Sequence, residues 1–281
     1  LLQALEDFLM PEDLAVVLDA AGTLLKMHRV AKDINTGRII ERVITWKLIM
    51  EKRGRALVVP QLDPAILTSL SLYDPIGSLL DGRGERFEIS CSSTPVSKER
   101  AIEVIRRSKL KISDIQEVYS IVRAKCPHRY QTMGLIIDAE LGEICYAMST
   151  GGSPFPGLVD VLADLRSMGA EVYVASGDSM RSLSYLLDYG ITEDRIYPVA
   201  SPRRKREIVI ELKKKYRLVV MVGDGLNDIY ALEAADFAVL TVQQDNSPPP
   251  RLIKAADRII RDLLELPVAL KEVLSSRKAK S

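Results

Sequence analysis

In the second half of the chain, short apolar runs alternate with helical runs. That alternation restricts the possible folds more than any other feature. Residues 159–168 carry a helical pattern that starts after Pro156 and stops at Gly169. Residues 171–175 (EVYVA) read as a short strand, 179–189 as a helix ended by Gly190, and 203–215 as another helix. Residues 218–222 (LVVMV) form an apolar strand, 227–234 a helix, and 237–240 a further apolar segment. Strands with no polar face are buried on both sides. When each is followed by a helix, the sheet is parallel and the fold is α/β.

The region from 28 to 150 has a different texture. It has strand-like runs at 38–45, 56–59, 86–90, 134–138 and 144–148, and helical runs at 98–107 and 114–125. The second helix is expected to open on Ser113-x-x-Gln116 as a capping box. Residues 138–143, around Gly142, read as a hairpin turn. This is an α+β pattern. The strand at 15–18, which precedes it, has the doubly buried texture of the second half. The expected architecture is therefore a discontinuous Rossmann-like core, residues 11–27 plus 151–281, with an inserted α+β cap domain at 28–150. Residues 1–9 read as a short amphipathic helix ending near Pro11, without the basic start of a signal peptide. Pro248-Pro249-Pro250 marks a loop, and 266–277 a closing helix.

Composition removes several classes of function. With 47% hydrophobic and 27% charged residues, the 281-residue chain can bury a core. The 39 basic and 38 acidic residues leave a net charge of +1, which calls for neither nucleic acid nor an anionic membrane as partner. The basic clusters at 203–206 and 213–215 read as solvated helix faces. No run approaches the ~18 apolar residues of a membrane span. Cys91, Cys126 and Cys145 form no C-x-x-C pair, so structural zinc is not expected, and reduced thiols fit the cytoplasm. His28 and His128 stand alone and read as ordinary imidazoles.

Four features fall at strand ends of the α/β half, where open parallel sheets place their ligands. The first is Asp19-Ala20-Ala21-Gly22-Thr23, a carboxylate and a glycine turn that could attack and cradle a phosphoryl group. The second is Ser176-Gly177-Asp178, with a hydroxyl and backbone N–H groups suited to phosphoryl oxygens. The third is Lys205, on the first turn of a helix, able to neutralise charge. Each of these three alone is equally a turn, an N-cap or a solvated lysine. The fourth is more specific. Gly223-Asp224-Gly225-Leu226-Asn227-Asp228 packs two carboxylates and an amide around two glycines at the end of a buried strand. Such burial is costly unless a hard divalent cation relieves it.

In this order, the four features resemble the motifs of the haloacid dehalogenase (HAD) superfamily. SGD, P-x-x-K-x-x-I-V and VGDGLNDIYALEAAD are similar to the phosphorylation domain of P-type ATPases. The chain as a whole resembles the archaeal soluble P-type-ATPase-like phosphatases. The resemblance implies Asp19 as nucleophile and Mg²⁺ ligand, with the Ala21 carbonyl and Asp224 completing the metal set. It implies Thr23, Ser176, Gly177, Lys205 and Asn227 as phosphate-binding residues. Asp228 would act with Lys205 in catalysis, and Gly177 and Gly225 would serve backbone geometry. The partner is then a small-molecule phosphate, with a nucleotide among the candidates.

One position departs from most of that superfamily: Ala21 stands where an acid/base aspartate is usual. A methyl group cannot transfer a proton, and losing that help costs about 10²–10⁴-fold when a step needs it. ATP-like, acyl and aryl phosphates are therefore expected to outrank alkyl monoesters. Two other readings stay open. One is a phosphonoacetaldehyde-hydrolase-like C–P hydrolase, which would need a cap lysine such as Lys47 or Lys52. The other is a regulator that keeps its phosphoenzyme as a signal. Lys52-Arg53-Gly54-Arg55-Ala56 is faintly reminiscent of a nucleotide signature, and Trp46 reads equally as packing.

Overall fold

The computed structural model describes residues 14–80, 87–126, 130–244 and 247–278. The helix expected at 1–9 and His128 lie outside them. The chain divides into two compact units, one made of the residues up to Lys26 together with Pro154 onward, the other of Met27–Ser153.

Strand β1 (Leu14–Leu18) opens the first unit. The chain then runs through β2 (Leu25–Asp33), β3 (Ile39–Glu41), α1 (Thr45–Met50), β4 (Arg55–Pro60) and β5 (Phe87–Ser92). Helices α2 (Lys98–Arg107) and α3 (Ile112–Lys125) and strands β6 (Gln131–Asp138) and β7 (Glu143–Pro154) follow. The first unit resumes with α4 (Leu158–Ser167), β8 (Ala170–Ala175), α5 (Met180–Leu183), β9 (Ile196–Tyr197) and α6 (Pro202–Leu212). It ends with β10 (Leu218–Gly223), α7 (Ile229–Ala234), β11 (Phe237–Thr241), α8 (Pro250–Ala255), β12 (Arg258–Ile260) and α9 (Leu266–Lys278).

The first unit is a six-stranded sheet in the order β12-β11-β10-β1-β8-β9. Its neighbouring strands are parallel, with Val16 opposite both Val220 and Val172. All five residues of β1 are buried, as a central strand between helical layers requires. Ala15, Val17 and Met221 pack under Ile208, Val209 and Leu212 of α6 and Ile229 and Leu232 of α7. Each fully buried Val or Leu contributes about 1.5–3 kcal/mol.

The second unit is a six-stranded sheet in the order β3-β2-β7-β6-β4-β5, with its β4, β5, β6 and β7 pairings antiparallel. Val58, Phe87, Leu135 and Ile137 pack with Ile105 of α2 and Ile115 of α3. On the other side, Ile49 of α1 joins Ile136, Tyr146 and Met148. Gly142 turns the β6–β7 hairpin at φ +74°, and its N–H donates to the Asp138 carbonyl at 2.8 Å. The fold is thus mixed α/β, with one parallel and one antiparallel sheet. Among the described residues, no helix is long and apolar enough to cross a membrane.

Several local expectations need correction. The helix expected over 179–189 breaks into α5 and a 3₁₀ turn at Ser184–Tyr189. Serine hydroxyls compete with the helical ladder there: Ser184 Oγ donates to the Arg181 carbonyl at 2.9 Å, and Ser179 and Ser182 share a 3.3 Å contact. Helix α3 begins at Ile112, before Ser113, and its cap is Asp114, which accepts from Lys111 N–H at 3.0 Å. Of the run at 38–45, only Ile39–Glu41 is strand, and Thr45 starts α1. The nine-residue β2 has no clear strand signal in the sequence, because its charged residues mask the pattern.

Candidate active site

Parallel pairing brings the C-terminal ends of β1, β8 and β10 to one edge, and each end delivers a polar residue. Asp19 follows β1 directly, and its N–H donates to the Val222 carbonyl of β10 at 2.9 Å. The chain then turns sharply. The Leu24 and Leu25 N–H groups both donate to the Ala20 carbonyl at 2.9 Å, and Gly22 N–H donates to the Leu25 carbonyl at 2.8 Å. Gly22 has φ +86°, and a Cβ there would lie 1.8 Å from Asp224 Oδ2. Only glycine allows the β1 turn and Asp224 to approach so closely.

Lys205 reaches this edge from the first turn of α6. Pro202 opens that helix, and the Ser201 hydroxyl caps it by accepting from Arg204 N–H at 3.2 Å. The Lys205 ammonium donates to Asp19 Oδ1 at 2.6 Å and to Asp228 Oδ1 at 2.7 Å. All three side chains are buried. The second oxygen of Asp228 accepts from the N–H groups of Asp224 (3.2 Å) and Gly225 (3.1 Å). Asp228 therefore holds the lysine and folds the loop at once.

Carboxylate oxygens of Asp19, Asp224 and Asp228 lie within 4.8 Å of one another. One ammonium does not neutralise the two carboxylates, Asp19 and Asp228, that it touches. Burial, and then the like charge of Asp228, push the Asp19 carboxyl up to about 7, with Lys205 pulling the other way. Burial alone would lower Lys205, but Asp19 and Asp228 outweigh it and hold the ammonium above the usual lysine range. An all-oxygen donor set with surplus negative charge fits a hard divalent cation of the Mg²⁺ type.

Thr23 is fully buried, and its Oγ1 has no hydrogen-bond partner among the described residues. An unsatisfied buried hydroxyl costs about 1–3 kcal/mol, which an anionic ligand can relieve. Ser176, buried after β8, donates its hydroxyl to Asp178 Oδ2 at 2.8 Å. Ala21 is half-buried and bridges to Leu25. Asn227 is exposed, with its Oδ1 folded over Gly225, where a Cβ would meet it at 2.4 Å. The structure therefore gathers Asp19, Lys205, Asp224 and Asp228 tightly. Among the hydrogen bonds to Lys205, none comes from Asn227. The φ of Gly177 is not positive, and a Cβ there would meet no other protein atom within 4 Å.

Two residues outside the motifs belong near this site. The Gln243 amide donates to the Thr23 carbonyl at 2.7 Å. Tyr185 is buried, and its phenol is held well above its usual range by burial and then by the charges of Asp178 and Asp19. Neither carries a sequence signal, since a glutamine after a strand and a tyrosine on a helical face are ordinary.

In the second unit, Lys52 forms an ion pair with the buried Asp138 at 2.9 Å, and the Lys47 ammonium sits 5.8 Å from the Trp46 ring centroid. A Cβ at Gly54 would lie 2.7 Å from Glu140 Cγ, and Arg55 donates to the Leu48 carbonyl at 2.6 Å. This Lys-Arg-Gly-Arg segment is committed to holding its own sheet together.

The chain is similar to several known proteins. A soluble P-type ATPase-like phosphatase of Methanocaldococcus jannaschii is 32% identical over 263 residues, 93% of this chain and 94% of that protein. A chloroplastic copper-transporting ATPase of Arabidopsis thaliana, PAA1, is 35% identical over 80 residues, 28% of this chain but only 8% of the transporter. Among solved structures, the catalytic domain of the CPx-ATPase CopB-B is 26% identical, with a TM-score of 0.42, over 50% of this chain and 58% of that one. Residues 14–236 match the sequence profile of a haloacid dehalogenase-like hydrolase. The chain belongs to the haloacid dehalogenase-like hydrolase family and is a phosphatase-type member of it.

Proposed function

We propose that this protein hydrolyses small-molecule phosphates through an aspartyl-phosphate on Asp19. The observation that carries this reading is the buried Asp19 carboxylate, held at 2.6 Å by a lysine that Asp228 also grips. Such a carboxylate is fixed in orientation and kept dry, as a nucleophile should be.

In the first step an Asp19 oxygen attacks phosphorus, and the bond to the leaving group breaks with its electron pair going to that group. Lys205 offsets the charge gathered between nucleophile and phosphoryl group. The Thr23 and Ser176 hydroxyls, the Gly177 N–H and the Asn227 amide hold the phosphoryl oxygens. In the second step water attacks phosphorus, inorganic phosphate forms, and Asp19 leaves as a carboxylate. Asp19, the Ala21 carbonyl and Asp224 would hold Mg²⁺, which supplies Lewis-acid charge to the phosphoryl group. The free thiols at Cys91, Cys126 and Cys145 suit a reducing cytoplasm.

Ala21 shapes the substrate preference. With no proton donor at that position, leaving groups must depart unprotonated. Rates should therefore rise steeply as leaving-group pKa falls, with nucleotide anhydrides, acyl and aryl phosphates ahead of alkyl monoesters by roughly 10²-fold or more.

Two measurements test the reading. Incubation with acetyl phosphate and Mg²⁺ should add one phosphoryl group that is stable in acid and cleaved by hydroxylamine. Asp19→Asn should abolish it, and label retained in that variant would place the chemistry elsewhere. A series of aryl and alkyl phosphates should give the steep leaving-group dependence. Ala21→Asp should flatten it, and equal rates on alkyl and aryl esters in the wild type would show that another acid serves the site.

A further inference from the structure

The turn after Asp19 closes on its own backbone: the Thr23 (3.4 Å) and Leu24 (2.9 Å) N–H groups both donate to the Ala20 carbonyl. The other side of that peptide, the Thr23 carbonyl, is held by a side chain far away in sequence. The Gln243 Nε2 donates to the Thr23 carbonyl at 2.7 Å, while its Oε1 accepts from Leu263 N–H at 3.2 Å. Leu263 opens a 3₁₀ turn, Leu263–Glu265, that is itself pinned. Asp262 accepts from Leu264 N–H at 2.9 Å, and Glu265 accepts from the N–H groups of Arg261 (3.1 Å) and Asp262 (3.0 Å). One amide thus spans the nucleophile turn and a rigid anchor in the C-terminal part of the same unit. Only one orientation of the amide matches a carbonyl at one end and an N–H at the other. The carbonyl direction of Thr23 and the aim of its side chain share one Cα, and its Oγ1 is a buried hydroxyl with no hydrogen-bond partner among the described residues.

We infer that Gln243 is a positioning residue for phosphoryl transfer: it clamps the Thr23 peptide so that the Thr23 hydroxyl meets the transferring group. The inference rests on phosphorylation of Asp19. Other side chains at 243 keep at most half of the clamp. Glutamate can accept from Leu263 but sets a negative charge against the Thr23 carbonyl. Methionine has the length but neither partner. Asparagine is one methylene short.

The experiment compares wild type, Gln243→Glu, Gln243→Met, Thr23→Val and the double variant Gln243→Glu/Thr23→Val. Phosphoenzyme formation from acetyl phosphate is followed with saturating Mg²⁺, with thermal unfolding of each protein as control. Gln243→Glu and Gln243→Met should slow formation by about tenfold or more, chiefly in kcat rather than KM, because misplacement of about 1 Å costs on that scale. In the Thr23→Val background, Gln243→Glu should add less than about twofold, since the hydroxyl it aims is gone. Losses that multiply in the double variant would assign Gln243 a general structural role and overturn the inference. So would single variants that form phosphoenzyme at the wild-type rate. Should a variant not fold, Gln243→Asn, able to reach one partner only, takes its place against the same criteria. Wild-type protein that takes up no phosphoryl group would sink the reading of Asp19 instead, so the two failures are told apart.

Discussion

Each of the two sheets buries an aspartate at the end of an apolar strand, and the two aspartates live in opposite conditions. Asp138 closes β6. Its carboxylate accepts from the N–H groups of Glu140 (3.0 Å) and Leu141 (2.9 Å) and pairs with Lys52 at 2.9 Å. Burial works against its charge, but those hydrogen bonds and Lys52 win and hold it below the usual carboxylate range. Asp19 follows β1 and shares a single lysine with Asp228, with Asp224 close by, and it is pushed up to about 7. The lesson is that burial of a charge does not by itself mark a reactive site. A carboxylate held by two backbone N–H groups and a lysine of its own is architecture, while two carboxylates sharing one cation mark a candidate site.

The largest effect that could break this contrast is expected at Lys205. Lys205→Met leaves buried Asp19 and Asp228 without their shared cation. Turnover should fall by about 10²–10³-fold or more. Denaturant unfolding in EDTA should show a loss of about 3–5 kcal/mol, part of which added Mg²⁺ restores. A variant as stable as wild type in EDTA would mean that the two carboxylates were never in competition.

Gly22 tests the same cluster more gently. Gly22→Ala forces a Cβ into the space of Asp224 Oδ2 and strains a φ of +86°. The Mg²⁺ concentration for half-maximal activity should rise by about 10–100-fold, as when a ligand's support is disturbed. Stability should fall by more than about 1 kcal/mol. An unchanged Mg²⁺ activation curve would remove Asp224 from the metal set.

The smallest effect belongs to Asp138. Asp138→Ala should cost about 1–3 kcal/mol in unfolding experiments and leave phosphoenzyme formation unchanged. Because folding lowers its pKa from 3.8, its contribution is present above that value and is lost as the pH falls through the lower folded value. The stability gap between wild type and variant should therefore be full at neutral pH and narrow as acid takes the solution below pH 3.8. A gap that widens in acid would reverse the assignment of Asp138 as a group held ionised by its backbone donors and Lys52.

What the sequence discloses follows the strength of each local signal. LVVMV and FAVL are strands in the structure because an unbroken apolar run cannot be anything but buried, and the helix expected over 98–107 is α2 as it stands. The short strands β9 and β12 carry two and three residues, too few for a period to show. Strand β2 alternates charged and apolar residues only loosely, and the serines of 179–184 hide a break that depends on where hydroxyls point. At the site, Asp224 and Asp228 announce themselves by packing beside glycines. Gln243 does not, because its work is fixed by two backbone groups that only the fold brings within reach. Gly177 differs from Gly22, because its φ is not positive and its backbone conformation does not itself require glycine.

The position of β1 in its sheet also bears on how the chain is made. Both of its neighbours, β8 and β10, come from sequence beyond Ser153. At elongation rates of about 5–20 residues per second, these five apolar residues are made roughly 8–30 seconds before the first partner strand is complete. All of 27–153 is synthesised in that interval, so the antiparallel unit is complete while the central strand of the parallel one still waits. A sheet that closes only through such distant pairings folds slowly. During biosynthesis the apolar strand that leads into Asp19 stays unpaired for that whole interval, the kind of exposed segment that invites aggregation.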